Sequence, residues 1–130
     1  MDSGVYLAIF HLPRTQAITI GRLGRFCFRH GYYIYVGSAQ RNLQARLARH
    51  ARRRKPLRWQ IDYLSTRTKF VGALMIRGPK NLECRLAGML AQHYERPVAG
   101  FGASDCRCGG HLFFMGRRST MPPKPARARA

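Results

Sequence analysis

Gly31-Tyr32-Tyr33-Ile34-Tyr35-Val36-Gly37-Ser38-Ala39-Gln40-Arg41-Asn42-Leu43, running on to His50, is the stretch whose reading decides the fold. Aromatic and β-branched residues from Tyr32 to Val36 predict a strand, and Gly37-Ser38 is expected to end it. Asn42 is placed to cap a helix running from Leu43 to about Arg54. A strand end and a helix start therefore meet between Gly37 and Asn42. Such a junction suits an anion, because the first helical amides lack partners and glycine admits a ligand close to the backbone. Gly37, Ser38 and Asn42 are thus candidate phosphate contacts, with Arg41, Arg49 and Arg53 as the cations beside them.

The helix that follows has an apolar stripe of Leu43, Leu47 and Ala51. Arg46 and His50, four residues apart, lie side by side at the edge of that stripe, where a cleft would run along the rim of the core. Arg49, Arg52 and Arg53 are expected on its outer surface. Upstream, Gly4 to His11 reads as a strand with Val5, Leu7 and Ile9 on one face and Tyr6, Ala8 and Phe10 on the other. Ala17 to Ile20 and Arg25 to Arg29 are two short strands joined through Gly21 and Gly24. The first third is then a meander of about four strands, antiparallel because its connections are too short for crossovers.

Downstream, Trp59 to Leu64 predicts a short helix burying Trp59 or Ile61 together with Tyr63, and Phe70 to Ile76 a buried strand ended by Gly78-Pro79. Asn81 is placed to cap a helix from Leu82 to about Tyr94, with Leu82, Leu86, Ala87, Met89 and Leu90 on one apolar arc. Glu83 falls inside that arc. A carboxylate in an apolar frame is costly unless a cation meets it, so Glu83 asks for a metal ion or an arginine; service to the helix dipole is the simpler alternative. His111 to Met115 closes the domain as a last strand. From residue 117 the sequence turns to Arg, Pro, Ala and Lys without periodicity, so residues 1–116 are expected to form one domain and 117–130 a disordered basic tail.

Twenty-four Lys and Arg, twenty of them Arg, against five Asp and Glu give a net charge of +19. A surplus of that size carried on the residue that grips phosphate bidentately points to a polyanionic partner, nucleic acid by default and DNA before RNA. No apolar run reaches the roughly 18 residues of a membrane span, and Val5 to Ile9 is too short for a signal peptide, so a soluble, cytoplasmic protein with no membrane partner is expected. In that compartment the four cysteines are expected to stay reduced. Cys106, Cys108 and His111, with Cys84 or Cys27, also offer a ligand set for structural zinc, though with unusual spacing.

Gly4-Val5-Tyr6, Tyr35-Val36-Gly37, Arg46, His50 and Glu83, in this order and on these elements, resemble the GIY-YIG nuclease superfamily. The phrases Tyr-Val-Gly-Ser-Ala, Ile-Asp-Tyr-Leu, Glu-Cys and Gly-Phe-Gly-Ala-Ser-Asp-Cys are similar to its small stand-alone Uri-type branch. The resemblance covers about residues 4 to 115. It implies an α+β fold, a small mainly antiparallel β-sheet flanked by helices, and metal-dependent endonuclease activity with Mg2+ or Mn2+. Glu83 would hold the metal and Arg46 would steady the phosphate. Tyr6 would serve as general base or relay, with Mg2+, Arg46 and His50 lowering its effective pKa, while Tyr35 and His50 position water and substrate. The chain departs from the pattern in a long insert between the half-motifs, in Gln60 where relatives often place His, and in lacking a clear late Asn, whose place Ser104 or Asp105 would take. A non-catalytic nucleic-acid-binding protein on the same scaffold is the competing reading.

Overall fold

The computed structural model describes residues 2–102 and 109–117. The fold is α+β. The chain runs through β1 (Gly4–Leu12), β2 (Gln16–Ile20), β3 (Gly24–Phe28), β4 (Gly31–Ala39), α1 (Leu43–Ala51), α2 (Gln60–Ser65), β5 (Lys69–Ile76), α3 (Leu82–Leu90) and β6 (Leu112–Gly116). Four strands form an antiparallel sheet in the order β5-β1-β4-β6, and β2 and β3 form a separate hairpin.

The alternation in β1 is what divides the core. Tyr6, Ala8, Phe10 and Leu12 face one side, where they pack with Ile18, Ile20, Tyr33, Leu43, Leu47, Ile61 and Leu64 from the hairpin, β4, α1 and α2. Val5 and Leu7 face the other side and meet Val36, Phe113 and the α3 residues Leu82, Leu86, Ala87 and Leu90. A period of two along a central strand thus gives each face its own helix cover. No described helix is long and apolar enough to cross a membrane.

Several elements differ from the sequence reading. β4 does not end at Gly37-Ser38; it continues to Ala39, with Gly37 opposite Tyr6 and Ser38 opposite Val5. Asn42 stands at the head of α1 in the left-handed region (φ 58°) and makes no side-chain cap. The cap comes from the start of the chain: Asp2 accepts Leu43 N on its carbonyl and Gln44 N on Oδ1, both at 3.0 Å. At its other end α1 stops at Ala51 rather than Arg54, because Arg52 is extended and Lys55 Nζ donates to Arg49 O and His50 O at 2.8 and 3.3 Å. A cation on the last carbonyls replaces further turns of helix.

Trp59 is not inside α2 but at its N-cap, half-exposed. α3 closes at Leu90, where His93 N and Tyr94 N share Leu90 O in tight turns, and Met89 points to solvent at 61% exposure instead of joining the arc. β5 was expected to be buried and is an edge strand, with Val71 53% and Leu74 58% exposed. An apolar run reads the same whether one or two strands flank it. The tail from 118 onward lies outside the described residues.

Candidate functional site

β6 pairs with β4 through Tyr35, and one more bond, Val36 N to His111 O at 2.9 Å, ends the described ladder. Beyond it Gly37 to Ala39 pair with β1 alone among the described residues. This open edge lets side chains from both faces of the sheet reach one cleft of about 1010 Å3, lined by Tyr6, Tyr35, Gly37, Ser38, Arg41, Arg46, His50, Trp59, Glu83 and His111. All five residues expected to be catalytic therefore share one wall-to-wall space.

Tyr6 and His50 form its floor. Tyr6 is 1% and His50 1% exposed, and the phenol oxygen lies 2.7 Å from His50 Nε2. Tyr35 packs against both rings, at centroid distances of 6.4 and 5.9 Å. Gly37 makes the floor possible: a Cβ there would stand 2.5 Å from Tyr6 Cζ and closer still to the hydroxyl. The glycine that the sequence offered as a phosphate approach is thus required by the phenol across the strand.

Burial pushes the Tyr6 phenol well above its ordinary range, and Arg46 only partly counters it, while Glu83 and Asp62 add to the rise. The expected lowering of its pKa is therefore not found in the protein's own residues. Tyr35 is raised in the same way, chiefly by burial. Burial also lowers His50 to about 4, helped by the cations Lys55, Arg46 and Arg49 and opposed by Asp62. At neutral pH the floor is a neutral phenol hydrogen-bonded to a neutral imidazole, and a proton passed from Oη to Nε2 would create charge that burial disfavours on both groups.

Arg46 reaches over this floor from α1. Its Nη1 donates to Ser38 O at 2.8 Å and its guanidinium lies 4.7 Å from the centre of the Trp59 ring. Arg49, expected on the outer surface as a phosphate contact, is turned inward: Nη1 meets Asp62 Oδ1 at 2.6 Å and Nη2 donates to Pro56 O at 2.8 Å. Asp62, fully buried, also accepts the amides of Arg58 and Trp59 at 2.8 Å, so it fixes the α1–α2 junction. Burial alone would raise the Asp62 carboxyl, yet Arg49 and these two amides bring it below its usual range. Arg41 lines the cleft and is exposed, and Arg53 is exposed beyond the end of α1. The amides of Leu43 and Gln44, offered as an anion site beside Asn42, are taken by Asp2.

Glu83 enters from α3 on the other side. Among the described residues neither an arginine nor a second carboxylate meets it; Oε1 accepts from Ser38 Oγ at 2.8 Å and Oε2 lies 3.0 Å from His111 Nδ1. Burial raises its carboxyl, and His111, Ser38 and Lys80 outweigh that, leaving it ionised below the usual carboxylate range. Four lone-pair directions carry two such contacts, so two remain for a hard cation. One carboxylate with the other positions left to water and phosphate is how Mg2+ is commonly held, so the donor set fits Mg2+ or Mn2+. Among the described residues no group of three His, Cys, Asp or Glu is arranged around a common point.

The other sequence candidates divide. Gln60 lines the cleft, where its Oε1 accepts Gly102 N at 2.6 Å and ties the loop after Phe101 to it. Cys84 lines the cleft with Sγ 3.9 Å from His111 Nε2 and is disulfide-bonded, so the expectation of reduced thiols fails there. Cys27 is a free, exposed thiol on β3, which does not line the cleft. Ser104, Asp105, Cys106 and Cys108 lie outside the described residues. Two residues of the cleft were not read as such: Trp59, offered as a core residue, which packs against the core and lines the cleft as well, and His111, read as the start of the last strand and as a zinc ligand; outside the cleft, Asp2 was missed as the cap of α1, because no local pattern marks a cap for a helix forty residues away.

Residues 5–128 match a family described as a domain of unknown function, DUF123. The chain belongs to the DUF123 family. The matched span takes in every element that frames the cleft and leaves out Asp2. No curated protein and no solved structure matches this DUF123 chain.

Proposed function

We propose that this DUF123 domain is a divalent-metal-dependent endonuclease that hydrolyses phosphodiester bonds of nucleic acid, DNA before RNA. The observation that carries the reading is the meeting in one cleft of an ionised carboxylate, Glu83, an arginine, Arg46, and the hydrogen-bonded pair Tyr6 and His50, drawn from both faces of the sheet. These are the residues through which the sequence resembles the GIY-YIG nucleases. The net charge of +19 supplies the long-range attraction for a polyanion.

Arg46 would clamp the scissile phosphate and stabilise the charge that develops on its equatorial oxygens. Tyr6 Oη would take a proton from the attacking water as its own proton passes to His50 Nε2, and the imidazolium so formed, disfavoured by its burial, would give the proton up to solvent as the product leaves. That relay suits a phenol whose burial forbids a standing phenolate. Tyr35 closes the floor beside both rings and excludes bulk water from it. Glu83 would hold Mg2+ or Mn2+, which when bound supplies Lewis-acid polarisation of the phosphate and its leaving oxygen.

Cleavage of matched single-stranded, duplex and branched DNA, with and without Mg2+ or Mn2+, tests the reading. Metal-dependent scission is expected, abolished by Glu83→Ala and slowed about 100- to 1,000-fold by Arg46→Ala. Scission that persists in Glu83→Ala refutes the metal role. Binding without scission on any substrate would favour the non-catalytic binder, which the charge alone also supports.

A further inference from the structure

Trp59 is the single tryptophan of the chain and it lines the cleft half-exposed. Its backbone is pinned, since Trp59 N donates to Asp62 Oδ2 at 2.8 Å. Its ring is held beside the catalytic floor, 6.4 Å from the His50 ring. Three guanidinium groups surround it: Arg49 at 4.5 Å, Arg46 at 4.7 Å and Arg58 at 5.8 Å from the ring centre. Arg49 and Arg46 are anchored to Asp62 and to Ser38 O. Arg58 is exposed and stands furthest off. The indole packs against the main core, which holds the ring in place, and the rest of it faces the cleft.

We propose that Trp59 is a stacking platform for an unpaired base next to the phosphate held by Arg46, so that the substrate must present at least one unpaired nucleotide at the cut site. The inference rests on the nucleic-acid function proposed above and names its substrate class: single strands, flaps and branch points rather than continuous duplex. A fixed aromatic face amid arginines is how single strands are gripped without sequence preference, the ring taking the base and the cations the backbone. Bases inside a duplex are stacked on their neighbours and show no free face. Arg46 touches both halves of the arrangement, which puts the stacked base within one nucleotide of the scissile phosphate. On binding, the base displaces Arg58, and the released guanidinium meets a flanking phosphate.

The test is binding by the full chain in chelator, without divalent metal, of a short oligothymidylate and of a blunt duplex of equal length at one salt concentration. With a single tryptophan, intrinsic fluorescence reports the platform directly. Quenching by the oligothymidylate and not by the duplex is expected. Read by anisotropy of labelled probes, Trp59→Ala should weaken single-strand binding about 5- to 150-fold and leave duplex binding unchanged. Trp59→Phe, which keeps a ring and the packing, should retain most of the single-strand affinity. Equal quenching by both probes, or equal weakening of both in Trp59→Ala and Trp59→Phe, overturns the platform. Binding of neither probe would instead sink the nucleic-acid reading itself, and strand-selective binding without scission in any metal would sink only the hydrolytic one.

Discussion

Gly37→Ala tests the architecture of the cleft floor. β4 is extended at this position, so alanine is acceptable to the backbone, and removing a glycine would by itself stabilise by up to about 1 kcal/mol through the unfolded chain. Against this, the new Cβ would stand 2.5 Å from Tyr6 Cζ, where carbon atoms need roughly 3.5 Å. The ring must retreat by about 1 Å, yet it is 1% exposed and embedded among core residues. Overpacking of this kind costs about 1–3 kcal/mol. A retreat also stretches the 2.7 Å bond to His50 and leaves a buried polar atom poorly paired, which adds on the order of 1 kcal/mol. The clash wins, and a net loss of about 1–3 kcal/mol follows, measurable by urea titration as a shift of midpoint at constant m-value. In a Tyr6→Ala background the same substitution meets open space, so its cost should vanish and the double-mutant cycle should show strong coupling. A Gly37→Ala protein as stable as wild type, or an equal cost in both backgrounds, would refute the reasoning.

Two further outcomes follow from the same geometry. His50 has a folded pKa of about 4 against about 6.5 unfolded, so below about pH 6.5 the unfolded chain binds a proton that the folded one does not, and stability falls as pH drops towards 4. Unfolding free energy should decline by about 2 kcal/mol between pH 7.5 and 5, and His50→Gln should flatten much of that slope; an unchanged slope would show that the imidazole is not held neutral. Asp2→Ala removes the acceptor on Gln44 N at the head of α1 and should cost about 1 kcal/mol in urea unfolding, with Asp2→Asn costing much less. No loss in Asp2→Ala would mean that the backbone carbonyl of Asp2 suffices.

The parts of this molecule that the sequence disclosed are those set by periodicity. The alternation Val5-Leu7 against Tyr6-Ala8-Phe10 became the two faces of β1, and the i, i+4 pair Arg46 and His50 did reach a shared rim. What it hid was set by distant partners. Asn42 has the chemistry of a helix cap, but it stands in the left-handed region and makes no side-chain cap, and the role passes to Asp2. β5 has the composition of a buried strand, and only the sheet order, which no local pattern encodes, makes it an edge. Arg49 and Arg46 are three residues apart on one helix, yet buried Asp62 claims the first and leaves the second to the cleft.

That division of labour bears on how so cationic a chain folds around an open cleft. A net charge of +19 repels itself in the compact state, and the carboxylates are too few to neutralise it. Each described carboxylate has a separate post: Asp2 caps α1, Asp62 binds Arg49 beneath the cleft wall, Glu95 pairs with Arg29, and Glu83 stands in the cleft. Three of the four serve the fold, and none of those three lines the cleft. Glu83 shares this space with Arg41, Arg46, Arg58 and Lys80 and forms no ion pair with any of them; its described partners are Ser38 and His111, while Lys80, three residues before it, lowers its carboxyl without direct contact. A carboxylate placed only for stability would be expected against the nearest guanidinium, as Asp62 is. Glu83 is thus left ionised among cations that it does not neutralise by direct contact, a charge pattern on which the proposed phosphodiester hydrolysis would draw.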